Sequence, residues 1–249
     1  SKSDQIKFED AVALRDKCNK YSPEKYRHYM LEEFLTTRVL IKCIKYYLKL
    51  YFKGFRLKEA QKAFSFPGSK LNFFRILKND WESSIFGKDA IEGIIYTFLF
   101  DSMAKDLPAN PWGLFILENQ SHELALISAW KRNQEKIRIL AHQHATFRAM
   151  DLRLTYDTRV FQNKETEQPP IADMLGANSP SAYSLLKESQ YPIDKITKIE
   201  ALRYGNLLGK HGIEITKKKV SGRTLLVVTG SLDQETKFQL KLLHEAAGR

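Results

Sequence analysis

The sequence predicts an α/β protein: a mainly helical N-terminal region over 1–105, then a parallel sheet covered by helices over 106–205, then a linker and the start of a second α/β domain over 206–249. Three observations carry this. Apolar residues recur at helical spacing up to about residue 105. A Pro/Asn/Gly punctuation, LPANPWG at 107–113, marks a change of character. Beyond it, short apolar runs alternate with helical patterns, twice in the order strand, helix, strand.

In the helical region, Ser22 with Pro23 and Glu24 reads as an N-cap with proline in the first turn. It opens one long run, EKYRHYMLEEFLTTRVLIKCIKYYLKLYFKG, that stops at Gly54. In its second half Leu40, Ile41, Ile44, Tyr47, Leu48 and Tyr51 recur at spacings of three and four, with Lys42, Lys45, Lys49 and Lys53 between them. Such a helix packs on a core with a solvated lysine face; the sharper alternative is a basic, aromatic helix lying on an anionic membrane surface. Further helices are expected over 56–65 and 88–105, the latter carrying Ile91, Ile94, Ile95, Phe98 and Leu99.

After the punctuation, LFIL at 114–117 reads as a buried strand, followed by a helix capped by Asn119 or Ser121 and a second strand in KIRILAHQH. A second unit follows: strand IADMLGA, a helix started by Asn178, Ser179 and Pro180, and strand KITKIEA. The polar stretch TYDTRVFQNKETEQPP between the units reads as a surface loop. RTLLVVTGS followed by DQETKFQLKLLHEAA is again strand, glycine turn and helix. TGSLDQ at 229–234 is a weak phosphate-loop signal, and KKK at 217–219 a solvated charge run.

Composition narrows the function classes. Forty Lys and Arg against 29 Asp and Glu leave a net charge of +11, which suits an anionic partner: nucleotide, phosphorylated substrate, nucleic acid or lipid. Two cysteines, Cys18 and Cys43, support neither a disulfide framework nor a cysteine zinc site and indicate a reducing compartment, hence a cytoplasmic location. The longest uncharged apolar run, GIIYTFLF, is shorter than the roughly 20 residues a spanning helix needs. No nucleic-acid-binding motif stands out, and the basic residues are scattered, so nucleic acid is not the expected partner.

Ligands of open parallel sheets bind beyond the carboxyl ends of the strands. There the sequence places LENQSHE and AHQHATFR, so that Glu118, Asn119, Gln120, His122, Glu123, His142, His144 and Arg148 could share one crevice, with Gln143 and Thr146 in the same segments. A carboxylate or imidazole there can serve as general base for a hydroxyl, and an imidazolium or arginine can steady phosphate charge. Each also has an ordinary reading: Asn119 as a helix cap, Glu123 as a first-turn acid, the histidine pair as hydrogen-bonding groups. His-x-His with Glu123 or His122 is a possible metal set, but no four-ligand spacing supports it, and no metal is expected.

ILENQSHELALISAW, ILAHQHATFRAMDLR and KITKIEALRY, in this order, resemble a family of bacterial surface-carbohydrate biosynthesis proteins that are similar to GT-B glycosyltransferases. The likeness spans residues 70 to 245, and the ENQ…HE and HQH pair is its most distinctive part. It implies a Rossmann-like domain over 106–205 that recognises an acceptor, and transfer of a sugar from a nucleotide-activated donor to a glycan or lipid-linked acceptor, with no cofactor besides the donor. By the chemistry of their side chains, and not by the likeness, Glu118 or Glu123 is the candidate base, with His142 and His144 as catalytic polar groups at the cleft. Asn119, Gln120, His122, Gln143, Thr146 and Arg148 are substrate contacts, and Arg203, in EALRY, leads into a donor domain. The sequence departs from the full pattern in reaching only the first strand and helix of a second domain. A non-catalytic glycan- or partner-binding scaffold of the same pathway is the alternative.

Overall fold

The structure is a computed structural model that describes residues 7–21, 26–65, 68, 70–144, 170–201 and 233–247. The chain falls into two compact units, Ser1–Gly205 and Asn206–Arg249. The first is an α/β unit with a four-stranded parallel sheet.

Helix α1 spans Phe8–Tyr21 and α2 spans Thr37–Gly54. The single helix expected from Ser22 to Gly54 is broken: residues 26–30 are not helical, Leu31–Phe34 form a 3-10 turn, and a new helix starts after Thr36. Two local contacts explain the break. The Asn19 side-chain amide pairs with the backbone of His28, donating to its carbonyl at 2.9 Å and accepting its N–H at 2.7 Å, which holds that stretch away from a helix. Thr36 then takes an extended conformation and its hydroxyl accepts the Val39 N–H at 3.2 Å, a proper N-cap. Ser22 lies outside the described residues.

The segment expected to be α-helical over 56–65 is a 3-10 helix, Phe55–Phe64. Helix α3 (Phe74–Phe86), which the sequence pattern does not announce, follows, and α4 (Lys88–Asp106) lies where the pattern predicts a helix. Gly54 ends α2 against α3; a Cβ on it would come within 2.4 Å of the Ile85 side chain. The Tyr47 hydroxyl ties the same two helices by donating to the Phe86 carbonyl at 2.7 Å.

The sheet is built from β1 (Trp112–Leu117), β2 (Arg138–Gln143), β3 (Met174–Ala177) and β4 (Ile196–Lys198), in that order and all parallel. Helix α5 (Ser121–Asn133) connects β1 to β2, and α6 (Pro180–Glu188) connects β3 to β4, so both expected strand-helix-strand units form. Register places Phe115, Ala141 and Leu175 side by side on the face that α5 and α6 cover. Burial is nearly complete at Ile139 and Leu175 on that face and at Leu186 of α6 packed on it. Gly113 lets the Trp130 ring lie on β1, since a Cβ there would meet it at 2.8 Å. On the other face Trp112, Leu114 and Ile116 of the edge strand β1 are at least half exposed, whereas Leu140 and His142 of β2 and Met174 of β3 are partly covered and Gly176 is buried.

Helix α4 packs on the outer side of α5 through Phe100, Ala104 and Ala129, making a third layer. Small residues permit this approach: Ala129 is fully buried. Asp101 pins the far end of the contact, accepting from Asn133 at 2.8 Å and pairing with Lys105 and Arg132. Burial opposes ionisation of Asp101, but hydrogen bonds from Lys105 and Asn133 and the charges of Lys105 and Arg132 outweigh it and hold its carboxyl below the ordinary value. Among the described residues no helix is long and apolar enough to cross a membrane.

In the second unit α7 spans Asp233–Ala247, the range that the sequence predicts. The strand expected in RTLLVVTGS, TGSLDQ through Leu232, and the KKK run lie outside the described residues.

Candidate functional site

Parallel pairing brings three strand ends to one edge. Ile116 pairs with His142 and His142 with Gly176, so residues 118–120, 142–144 and 178–179 follow one another across the sheet. Both α5 and α6 begin at this edge, and their helix dipoles add partial positive charge to it.

The turn after β1 is closed by a buried acid. Glu123, 4% exposed, reaches back from the first turn of α5 and accepts the N–H of Glu118 at 2.8 Å and of Asn119 at 3.0 Å, one on each carboxylate oxygen. This extends the capping-box principle, in which a third-position Glu caps backbone N–H groups ahead of the helix. Neither Asn119 nor Ser121 occupies the cap position as expected: Gln120 does, without a side-chain cap bond, and Ser121 is the first helical residue. Asn119 instead takes the left-handed conformation at φ 59°, which asparagine tolerates better than most residues and which turns the chain from strand into helix. Glu118, Asn119 and Gln120 are exposed, whereas His122 is half-buried with its ring on Tyr96 of α4 at 5.4 Å.

The end of β2 divides its polar residues between faces. Gln143, 1% exposed, lies on the helix-covered face; its side-chain oxygen accepts the Asn178 N–H at 3.1 Å while its own carbonyl accepts from the Asn178 side chain at 3.2 Å. His142 lies one residue earlier on the other face, between Ile116 and Gly176, and its Nε2 is buried with no hydrogen-bond partner among the described residues. His144, half-buried, stands just past the strand. Thr146, Arg148 and Arg203 lie outside the described residues.

The structure therefore brings Glu118, Asn119, Gln120 and His144 to one edge but gives Glu123 and Gln143 a different job, holding the turns of that edge. It also adds Asn178 and Ser179, which sequence reasoning treated only as a helix start. Ser179 caps α6 by accepting the Ala182 N–H at 3.1 Å. The NSP triplet after a strand was the signal available for them; their pairing with β2 depends on register.

Under the turn lies a cavity of about 160 Å³ lined by Leu117, Asn119, Glu123, Ile127, Leu175 and Tyr191 among others, mostly apolar apart from the two turn residues and Tyr191. Among the described residues no three His, Cys, Asp or Glu side chains come together as a metal ion would require.

No family model matches the chain, and no curated protein or solved structure does either.

Proposed function

We propose that this chain is the acceptor-recognising, Rossmann-like part of a GT-B-like glycosyltransferase of bacterial surface polysaccharide biosynthesis, one that moves a sugar from a nucleotide-activated donor to a glycan or lipid-linked acceptor. The observation that carries the reading is the carboxyl edge, where exposed polar groups from two strand ends meet the N-termini of α5 and α6. Amide hydrogens and helix dipoles at such an edge favour the phosphate or carboxylate of an anionic substrate.

With both oxygens of Glu123 engaged by backbone, Glu118 is the carboxylate able to take a proton from an acceptor hydroxyl, and Glu123 is a positioning residue that fixes the backbone carrying it. His144 is the imidazole available to a substrate oxygen. The net charge of +11 draws anionic sugars, nucleotides and lipid phosphates toward the protein.

The test is a thermal-unfolding series of the full-length protein with CMP and the common nucleoside diphosphates, followed by nucleotide release from the matching sugar donor. A nucleotide at a hundred times its Kd should stabilise the fold by about 2.7 kcal/mol. Glu118→Gln should keep that stabilisation and lose nucleotide release by roughly a hundredfold or more. No stabilisation by any nucleotide, with glycan binding retained, would move the reading to a non-catalytic glycan-binding scaffold; a fully active Glu118→Gln would remove Glu118 as the base.

A further inference from the structure

Helix α2 carries three sectors, not two. At 100° per residue, Val39, Cys43, Tyr47 and Leu50 occupy an arc of about 80° turned to the core. Leu40, Ile41, Ile44, Leu48 and Phe52 occupy the next arc of about 120°. These five are exposed, Ile44 by 61% and Phe52 by 67%. Lys42, Lys45, Lys49 and Lys53, with Arg38, fill the remaining arc of about 80°, all exposed, and the helix contains no acid. The apolar arc continues onto α4: Leu40, Ile44 and Leu48 line one open, wholly apolar groove of about 290 Å³ with Ile91 and Ile95.

We propose that α2 docks the protein on an anionic lipid bilayer, with the open apolar stripe set into the headgroup boundary and the lysine row against the lipid phosphates. Charge complementarity selects the occupant. An open apolar stripe needs an apolar phase, and the unbroken cationic row beside it along the same helix needs a negative plane parallel to that phase; an anionic bilayer surface supplies both. A nucleic acid would use the lysines and leave the stripe in water. The helix, about 27 Å long, lies along the surface and does not cross it. Aromatic residues at its end, Tyr51 and Phe52, followed by Phe55, suit the headgroup depth. The proposal stands on α2 and the α4 side of its apolar groove and does not depend on sugar transfer.

Co-sedimentation of the full chain with vesicles of phosphatidylcholine alone, and of phosphatidylcholine mixed with phosphatidylglycerol, tests it. Binding is expected on the mixed vesicles, weaker on the neutral ones, and falling as salt rises. The pair Lys45→Gln and Lys49→Gln should lower partition roughly thirtyfold, about fivefold for each charge. The pair Ile44→Ser and Phe52→Ser should also release the protein, while Ile76→Ser, more exposed than either but on α3, should not. Failure to bind the mixed vesicles overturns the proposal. So does release by the lysine pair with no effect of the apolar pair, which would mark a purely electrostatic surface such as nucleic acid uses. Thermal unfolding of each variant checks its fold, and Ile41→Ser replaces the apolar pair should that pair unfold.

Discussion

The turn after β1 and the turn after β3 face the same physical demand and meet it with opposite chemistry. Each leads from a parallel strand into a helix on the same face of the sheet, and each leaves backbone N–H groups that need acceptors. After β1 the acceptor is the buried carboxylate of Glu123, which holds two N–H groups ahead of the helix. After β3 the acceptors are neutral: the Gln143 side chain takes the Asn178 N–H, and the Ser179 hydroxyl takes the Ala182 N–H. A carboxylate at the first turn is favoured by the helix dipole and makes stronger hydrogen bonds, but it must stay charged in a buried place. An amide and a hydroxyl carry no such burden and leave the helix N-terminus free of negative charge. By this comparison the β1 turn is the more strongly fixed of the two, and the β3 turn the more open to an anion.

The largest effect should come from the charged turn. Glu123→Ala removes both acceptors and leaves a gap under the first turn of α5; the expected loss is about 2–4 kcal/mol, read as a lower urea midpoint with unchanged slope. Glu123→Gln restores one acceptor oxygen and should recover roughly half of it. An alanine variant within about 0.5 kcal/mol of the parent would show that the turn holds without the carboxylate and would erase the contrast between the turns.

How far such roles could be read from the sequence depends on what sets them. Helix α4 and the two strand-helix-strand units were legible because their apolar spacing is strong and their ends are marked, by LPANPWG and by NSP. The break before α2 was not: it rests on Asn19 pairing with His28 nine residues away, a contact no local pattern shows. Helix α3 is not legible in the sequence because its apolar residues are not confined to one stripe, Ile76 being 78% exposed, although Asn72 accepts the Phe74 N–H at its start at 2.8 Å. Within the site, Glu118 and Glu123 look alike in sequence. Which one is buried follows from where the helix begins, at Ser121, and from the left-handed turn at Asn119. Likewise Gln143 and His142 exchange faces with a shift of one residue in strand register, so HQH could name a polar cluster but not its division.

The neutral turn should respond more mildly. Gln143→Ala takes a fully buried side chain from between β2 and the Asn178 loop, at an expected cost of about 2 kcal/mol. Asn178→Ala removes the second bond of the same clamp and should cost about 1 kcal/mol. Because the two residues share both bonds, the double variant should lose less than the sum of the singles, by about 0.5–1 kcal/mol in a double-mutant cycle. Strict additivity would mean that the two bonds act independently and that the clamp is not one unit.

The smallest stability change, and the sharpest separation of fold from function, lies at Ser179. Ser179→Ala deletes the cap and should cost about 1 kcal/mol. Ser179→Asp keeps it, since aspartate caps as well as serine and its charge suits a helix N-terminus, so unfolding should be unchanged or slightly delayed. The same charge would meet any phosphate or carboxylate approaching the N-terminus of α6. If the β3 turn is the anion-facing one, Ser179→Asp should retain the parent's stability while weakening nucleotide binding by roughly tenfold, about 1.4 kcal/mol of added repulsion. A variant as stable as the parent and as tight for nucleotide would place the anion at the β1 edge instead, beside Glu118 and Gln120, where the carboxylate of Glu123 is already turned inward and engaged by two backbone N–H groups.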